Sequence, residues 1–543
     1  MNKFFTLCCL LLAVCHERGA TQLTALDSSF SSDGIVEVDS LQRLGAGKTH
    51  LAIQADGKIL TAGTYGYWST SQYEMGALLM RFHPDGRVDS TFGQAGVARL
   101  RGNANENTIG LHILPNGRII TGTATGIWQG NSYTLHRLMP NGSPDSTFND
   151  SGKVVYRPNP SPGNTYYRHL SVQADGKILM TGEWWQPPLS NFLNVFRHNA
   201  NGSPDSSYGY FGRSSNGLPN TYRITGHTMA LQPDGKLLVA GSAQDTPLWH
   251  NRNKAVVARC NPDGILDTSF NGGTGHIKYA TPGERASSAH SLALQPDGKI
   301  LVATISQRRF EGPWLCGVLR LHADGRLDST FGINGKVETD SIRSNLALHA
   351  PPQLALQADG RILLSYTEGL GLDSQKFAVR RLLANGSPDL SFGSDGRVST
   401  RVSASRQSHA SSITVQANGR IVVTGVNVPT NSGATSLGIV RYHPYITLPS
   451  AIAVTSELLP TLHIFPNPAR HAVYLSYALD EAADVHVMLC DAQGRGIRVL
   501  GVMRHVAGYH EDCLQLPKDA QPGQYILTVS GGKLKASSIL TIR

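Results

Sequence analysis

The chain has 543 residues, 40% hydrophobic and 16% charged, with 57 Gly and 28 Pro against 8 Met. That balance excludes a coiled coil and a disordered polyelectrolyte, and so many turn formers point to short strands rather than long helices. The net charge of +9 allows an anionic partner without requiring one, and no pattern calls for nucleic acid.

Residues 1–15 carry Lys3, then the apolar run Phe4 to Val14, with the small residues Ala13 and Cys15 at cleavage positions. They read as a secretory signal peptide. Acylation at Cys15 is the alternative, disfavoured by the bulky Val14 before it. No later apolar run approaches the roughly 18 residues of a transmembrane segment. The expectation is a protein outside the cytoplasm, secreted or on the cell surface.

Beyond residue 25 the chain repeats itself. One phrase stands at Gln54-Ala-Asp-Gly57, Leu114-Pro-Asn-Gly117, Gln173-Ala-Asp-Gly176, Gln232-Pro-Asp-Gly235, Gln295-Pro-Asp-Gly298, Gln357-Ala-Asp-Gly360 and Gln416-Ala-Asn-Gly419, spaced by 60, 59, 59, 63, 62 and 59 residues. A second, Asp-x-Ser/Thr-Phe/Tyr, begins at Asp27, Asp89, Asp145, Asp205, Asp267, Asp328 and Asp389. Each unit reads as four strands. In the fifth these are Ser291–Gln295, Lys299–Ile305, Val318–Leu321 and Arg326–Thr339, with Pro-Asp-Gly and Ala-Asp-Gly turns in which Gly takes positive φ. Strands such as Lys299-Ile-Leu-Val-Ala303 are apolar without alternation, which suits a sheet covered on both faces. The expected fold is therefore all-β, a seven-bladed β-propeller over residues 26–443. The seventh unit lacks its Asp-x-Ser-Phe strand, whereas Leu26-Asp-Ser-Ser-Phe30 through Val38 is a copy without a unit. The N-terminal strand should close the ring and remove an exposed sheet edge; an open solenoid would leave that copy unpaired.

The Leu-Asp-x-Ser-Phe-Gly-x-x-Gly-x-Val phrase followed by Gln-Pro-Asp-Gly-Lys-Ile-Leu-Val-Ala-Gly resembles the delta-60 repeat, found mainly in exported bacterial proteins. The resemblance implies a propeller and export, and no reaction.

After a linker at 444–459, residues 460–543 read as a small Ig-like β-sandwich, with strands at Leu462–Pro468, Val473–Tyr477, Val485–Cys490 and Gly523–Leu527. The Phe465-Pro-Asn-Pro468 opening, the Asp491-Ala-Gln-Gly494 turn, the Pro522-Gly-Gln-Tyr525 strand and the final strand ending at Arg543 resemble the C-terminal sorting domain of type IX secretion. That resemblance implies a Gram-negative envelope, the type IX secretion machinery as partner, and removal of the domain at the surface. An ordinary accessory sandwich is the other reading.

Motifs for chemistry are sparse. Gly45-Ala-Gly-Lys-Thr49 looks like the end of a P-loop, but Gln42 stands where the first Gly belongs. There is no metalloprotease, nucleophile-elbow or Cys-x-x-Cys pattern, so no catalytic residue, metal ligand or cofactor is assigned. The repeated Asp residues suit Asx-type capping of the Ser or Thr two positions on, rather than calcium. Cys260 and Cys316 read as small apolar packing residues. Cys490 and Cys513 could pair in an oxidising compartment, although alternation sets both off the Val485–Leu489 face.

In such a propeller the first-to-second and third-to-fourth turns share one face. All six tryptophans, Trp68, Trp128, Trp184, Trp185, Trp249 and Trp314, then belong to second-to-third-strand loops on the opposite face, outside the strands. Arg43, Arg101, Arg168, Arg223, Arg285, Arg343 and Arg406 belong to the loops entering the first strands on that same face. These residues are the candidate ligand-binding set. The leading expectation is a non-catalytic binding or adhesion protein for a glycan, an anionic polymer or another protein. The alternative is a polysaccharide lyase or hydrolase at the central axis, with acid or base drawn from His50, His169, His227, His290 and His409; those histidines otherwise read as solvated loop residues.

Overall fold

The computed structural model describes residues 25–542 except 39–47, 69–72, 102–105, 126–131, 157–163, 186–191, 210–211, 247–252, 281–283, 309–311, 343–349, 370–373, 394, 430–434, 445–461, 466–471, 480, 492–494, 518 and 533. The regular elements among the described residues are all strands, and the chain divides into two compact units, Met1–Ile446 and Thr447–Arg543. The expected signal peptide and most of the linker lie outside the described residues.

In the first unit the strands form seven four-stranded antiparallel sheets, six of them from consecutive strands. The first such sheet runs His50–Ile53, Ile59–Trp68, Tyr73–Phe82, Val97–Arg101. The first strands of the sheets are His50–Ile53, Glu106–Ile113, Asn164–Val172, Arg223–Leu231, Ala286–Leu294, Gln353–Leu356 and Arg406–Val415. Each touches the next, and Arg406–Val415 returns to His50–Ile53, so the first strands surround an axis. The last sheet, Arg406–Val415, Ile421–Pro429 and Ser436–Tyr442, is completed by Ile35–Val38, with Ile35 opposite Val440 and Val38 opposite Leu437. The N-terminal copy therefore supplies the fourth strand of the last sheet.

Why these residues make these sheets follows from three local devices. Second strands such as Ile119–Thr125 and Ile300–Gln307 are buried along their whole length, and the cores lie between sheets rather than within them. Leu301, Ala303 and Ile305 of one sheet meet Ile362, Leu364 and Tyr366 of the next, and Phe30 and Ile439 of the closing sheet meet Ile59 and Leu78 of the first. Each such Leu, Ile or Phe side chain contributes about 1.5–3 kcal/mol on burial. The turns close as their composition dictates: Gly298 N–H donates to Gln295 at 2.9 Å, and Asp297 accepts from the backbone N–H of Lys299 at 3.1 Å. In the third-to-fourth turn Gly325 has φ +88, and a Cβ there would fall 2.5 Å from Phe270 of the preceding sheet, so only glycine admits that ring.

The strand limits differ from expectation in two instructive places. The fourth strand of the fifth unit is Lys336–Ile342 rather than Arg326–Thr339. Asp328 captures the N–H and hydroxyl of Thr330 and turns the chain first, leaving Leu327 only an isolated bridge to Leu321. The first strand of that unit starts at Ala286 rather than Ser291 and carries a bulge between Ala289 and Ser291, at His290.

In the second unit, two antiparallel sheets share one core. His463–Phe465, Ala472–Leu479 and Gly508–Gln515 form one sheet, and Gly496–His505, Ala483–Cys490, Gly523–Gly531 and Leu534–Ile542 the other. Val473, Leu475 and Tyr477 of the first join Val485, Val487, Leu489, Leu527 and Val529 of the second, so the alternation read at Val485, Val487 and Leu489 is the buried face. Cys490 is a buried free thiol near the Thr528 hydroxyl. Because that thiol carries no disulfide, the pairing with Cys513 is not made. Cys260 and Cys316 are buried free thiols inside apolar clusters, as expected.

Candidate functional site

The repeated aspartates are structural. Oδ1 of each accepts both the N–H and the hydroxyl of the Ser or Thr two residues on, as in Asp145 with Thr147 at 3.0 and 2.6 Å. Oδ2 pairs at 2.7–2.8 Å with Nε of an arginine that the repeats share: Arg81–Asp89, Arg137–Asp145, Arg197–Asp205, Arg259–Asp267, Arg320–Asp328, Arg381–Asp389 and, across the ends of the unit, Arg441–Asp27. The same guanidinium lies over the Phe or Tyr that ends the phrase, 4.2–4.8 Å from its centroid. It also donates to a carbonyl of the next sheet, from Arg81 to Pro140 onward to Arg381 to Pro444, with Arg441 returning to Pro84. A second cation, such as Lys236 on Asp267 at 2.9 Å, covers each carboxylate. With both oxygens engaged, these groups are inter-sheet staples and not calcium ligands. The arginines were missed from sequence, although six of the seven stand eight residues before their Asp.

The expected ligand face is placed in part. The antiparallel order puts the second-to-third connections and the starts of the first strands on one face, opposite the Gly turns. Four of the six tryptophans lie in strands rather than loops: Trp68 ends Ile59–Trp68, Trp184 and Trp185 end Ile178–Trp185, and Trp314 begins Trp314–Leu321. The pairing of opposed strands runs further than apolar pattern alone indicates, for example Trp68 opposite Tyr73 and Trp314 opposite Gln307. Trp314 is half-buried against the core of Leu364 and Tyr366. Trp128 and Trp249 lie outside the described residues, as do Arg43 and Arg343. Arg223 and Arg406 are the first residues of their strands, Arg101 ends an outermost strand, and Arg285 directly precedes Ala286–Leu294. Arg406 pairs with Glu37 at 3.0 Å. Arg168 is not a loop residue at all: it sits at the bulge of Asn164–Val172.

The axis gathers the chemistry. Bulges fall between Tyr167 and His169, Gly226 and Thr228, Ala289 and Ser291, and Ala410 and Ser412. An extra residue re-aims its side chain out of the sheet, and here Arg168, His227, His290 and Ser411 all line a cavity of about 170 Å³ on the axis. His50, His169 and Lys48 line it too, with Gln353 and Ser412. The histidines are thus not solvated loop residues: His50, His169, His227 and His290 stand in first strands at the cavity, and His409 is buried with its Nε2 2.6 Å from the Gln375 amide oxygen. Their surroundings fix their state. His50 Nε2–H donates to the Thr108 carbonyl at 3.3 Å and His227 Nδ1–H to that of Ala289 at 3.1 Å, tautomers set by the carbonyls. His290 Nε2 meets the Ser288 hydroxyl at 2.8 Å, and its ring stacks on His227 at 4.6 Å.

Charge is disfavoured at this depth. Burial and then Lys48 push His50 down to about 4; burial and then His50 push His169 to about 3; burial and then Arg168 push His227 to about 3. Their remaining accessible surface lines the cavity, but depth governs the solvation of a charge, so the imidazoles are neutral at pH 7. Lys48 is brought down to about 8 by burial and by Arg168. No carboxylate is among the described residues that line the cavity. No group of His, Cys, Asp and Glu among the described residues is suited to a metal ion. A larger hollow of about 620 Å³, lined by Asp297, Lys299, Asp324 and Arg326, has its charges already paired, Lys299 to Asp297 at 3.3 Å and Arg326 to Asp324 at 2.7 Å.

Residues 54–92, 114–148, 232–270, 295–331 and 357–392 match the family model described as "Domain of unknown function (DUF5122) beta-propeller". This is a β-propeller repeat protein. Each match opens on the first turn phrase and ends on the aromatic of the second; the unit that begins at Gln173 and the last one lie outside the matches. No curated protein matches the sequence. Among solved structures, a protein of unknown function from Dyadobacter fermentans is similar at 11% identity and TM-score 0.39, over 76% of this chain and 100% of that one. An α-L-arabinanase of Penicillium chrysogenum, complexed with arabinobiose, is similar at 8% and 0.34, over 75% and 98%. An α-L-arabinofuranosidase of Fusarium graminearum is similar at 10% and 0.34, over 75% and 96%. What those proteins act on is a property of those proteins.

Proposed function

We propose that this β-propeller repeat protein is an exported, seven-bladed propeller that binds rather than cleaves, holding a glycan or other anionic polymer on the face opposite the Gly turns. The observation that carries the reading is the gathering of Trp68, Trp184, Trp185 and Trp314 at strand ends on the face where Arg223, Arg285 and Arg406 also lie. Strands hold such residues more rigidly than loops do, and Trp and Arg dominate binding hot spots because they lose little entropy for the contact they make. Glycoside hydrolysis needs a pair of carboxyl groups, and the axial cavity offers none among its described lining residues.

The test is retention of the protein on immobilised heparin and alginate. Trp184→Ala with Trp185→Ala should weaken retention at least tenfold with an unchanged melting temperature. If the same change instead costs the roughly 3–5 kcal/mol of a large core truncation, these residues cap a sheet and the binding reading fails.

A second reading, a polysaccharide lyase, is favoured by one observation: Lys48, brought down to about 8 beside Arg168, has the character of a general base next to a carboxylate-neutralising cation. Formation of an unsaturated, ultraviolet-absorbing product from alginate would establish it. Residues 1–15 and 460–543 are assigned to export and to type IX sorting, with the second unit as the Ig-like sandwich. The surface-exposed protein should then end near Leu459, and an intact mass extending to Arg543 would contradict sorting with removal.

A further inference from the structure

We propose that Asn271 is a site of spontaneous conversion from amide to acid, placed where the fourth and fifth sheets of the ring touch and using none of the residues of the loop-face reading. An Asn-Gly pair reacts when the Gly nitrogen attacks the Asn side-chain carbonyl carbon: the N–Cγ bond forms, the Cγ–Nδ2 bond breaks, and ammonia leaves with the proton of the Gly amide. Water then opens the cyclic imide at either carbonyl, giving aspartate or isoaspartate. Glycine suits the attacking position because no Cβ hinders it.

The chain has eight Asn-Gly pairs, and the fold sets one of them apart. After Asn116, Asn141, Asn201, Asn334, Asn385 and Asn418 the Gly N–H is committed to a turn carbonyl at 2.8–2.9 Å, as Gly142 is to Met139 and Gly386 to Leu383. Such a nitrogen must give up its hydrogen bond before it can attack. Asn216 stands in a strand with its amide held at both ends, Nδ2 donating to the Gly264 carbonyl at 2.8 Å and Oδ1 accepting from the Leu266 N–H at 3.0 Å. Gly272, which follows Asn271, has an N–H with no hydrogen-bond partner among the described residues.

The repeat explains the exception. Between the aromatic of the second phrase and the Gly that closes the loop the other units have three residues, as in Phe331-Gly-Ile-Asn-Gly335, whereas the fourth has four, Phe270-Asn-Gly-Gly-Thr-Gly275. The closing bond from Gly275 to Phe270 is kept at 2.9 Å, so the extra residue is taken up by the loop. Asn271, Gly272 and Gly273 have φ of +50, +68 and +106, and a Cβ at Gly272 or Gly273 would meet nothing within 4 Å. A segment with so few contacts can rearrange locally to the cyclic geometry. One tether has to be released, the bond from Asn271 Nδ2 to the His276 carbonyl at 2.8 Å, but Thr274 Oγ1 also donates to that carbonyl at 2.7 Å and leaves it satisfied. The consequence lies in what Asn271 holds: its N–H donates to the Asp324 carbonyl of the fifth sheet at 2.6 Å, and Phe270 beside it packs under Gly325. Isoaspartate routes the main chain through the side-chain carbon, which lengthens it and displaces that link. At the turns the aspartate product is harmless, since the position of Asn385 is filled by Asp85, Asp263 and Asp324 in other units.

The experiment is incubation of the full chain in mildly alkaline buffer, native and in urea, followed by peptide mapping by mass with isoaspartate scored separately. In the native protein acid should accumulate at Asn271 at least tenfold faster than at Asn116, Asn141, Asn201, Asn334, Asn385 or Asn418, and in urea those rates should converge. A native rate at Asn271 no greater than at the turns overturns the site, and so does a preference for Asn271 that survives unchanged in urea, because it would then owe nothing to the fold. Gly272→Ala should slow the conversion severalfold; an unchanged rate would mean direct hydrolysis and refute the cyclic route. Protein separated by its added negative charge after native incubation should melt below fresh protein, while Asn385→Asp melts with the parent. Equal melting of converted and fresh protein would contradict the stated effect on the contact between the sheets.

Discussion

Arg381 concentrates the logic of the fold in one side chain. Fully buried, it pairs with Asp389 at 2.7 Å, lies 4.4 Å from the Phe392 centroid and donates to the Pro444 carbonyl. Removing one partner of a buried pair strands the other charge, which costs about 3–5 kcal/mol. Arg361, 2.8 Å from the same carboxylate, offsets part of that. Arg381→Met should therefore lower the free energy of unfolding by about 3 kcal/mol, read from urea midpoints. A loss below about 0.5 kcal/mol, the scale of an ordinary surface substitution, would contradict the staple. At this scale the sequence was half legible. Asp389 and Ser391 showed their roles because their partners are two residues apart; Arg381 did not, because the carbonyl it serves belongs to the next sheet.

Strands and their turns carry the pH dependence. Burial alone raises the carboxyls of Asp145 and Asp328, but hydrogen bonds from Thr147 and Thr330, then the charges of Arg137 and Arg320, outweigh it and hold both at about 2. A folded pKa below the unfolded value near 3.9 stabilises fully above that pH and is lost as pH falls toward 2, by about 2 kcal/mol per site. The axial imidazoles have the same sign in a higher window: His50, at about 4 when folded, stabilises above its unfolded value near 6.5 and loses that contribution as pH falls to 4. Melting temperature should decline below pH 6.5 and more steeply below pH 4. A melting temperature that stays flat from pH 7 to pH 3 would contradict both assignments. The imidazoles were named from sequence but left in loops, because a bulge one residue long breaks the period that marks a strand. In the second unit, Gly496–His505 was missed for a related reason: its exposed apolar residues, among them Ile497, Val499 and Val502, blur the alternation.

Closure is a property of the whole first unit, and it was the most legible feature because a missing strand at one end and a surplus copy at the other admit one economical solution. Ile35–Val38 pairs with Ser436–Tyr442, Phe30 and Val36 enter the core shared with the first sheet, and Asp27 receives Arg441. Without that segment, the last sheet is left with an open edge and Arg441 with no carboxylate. The axial cavity depends on the same closure, since its lining comes from first strands all around the ring. The most direct measurement is calorimetric unfolding of the protein lacking residues 26–38. A closed ring predicts that the cooperative transition of the parent is lost, with aggregation replacing it. A deletion protein that unfolds in one sharp transition at the parent's temperature would contradict the ring.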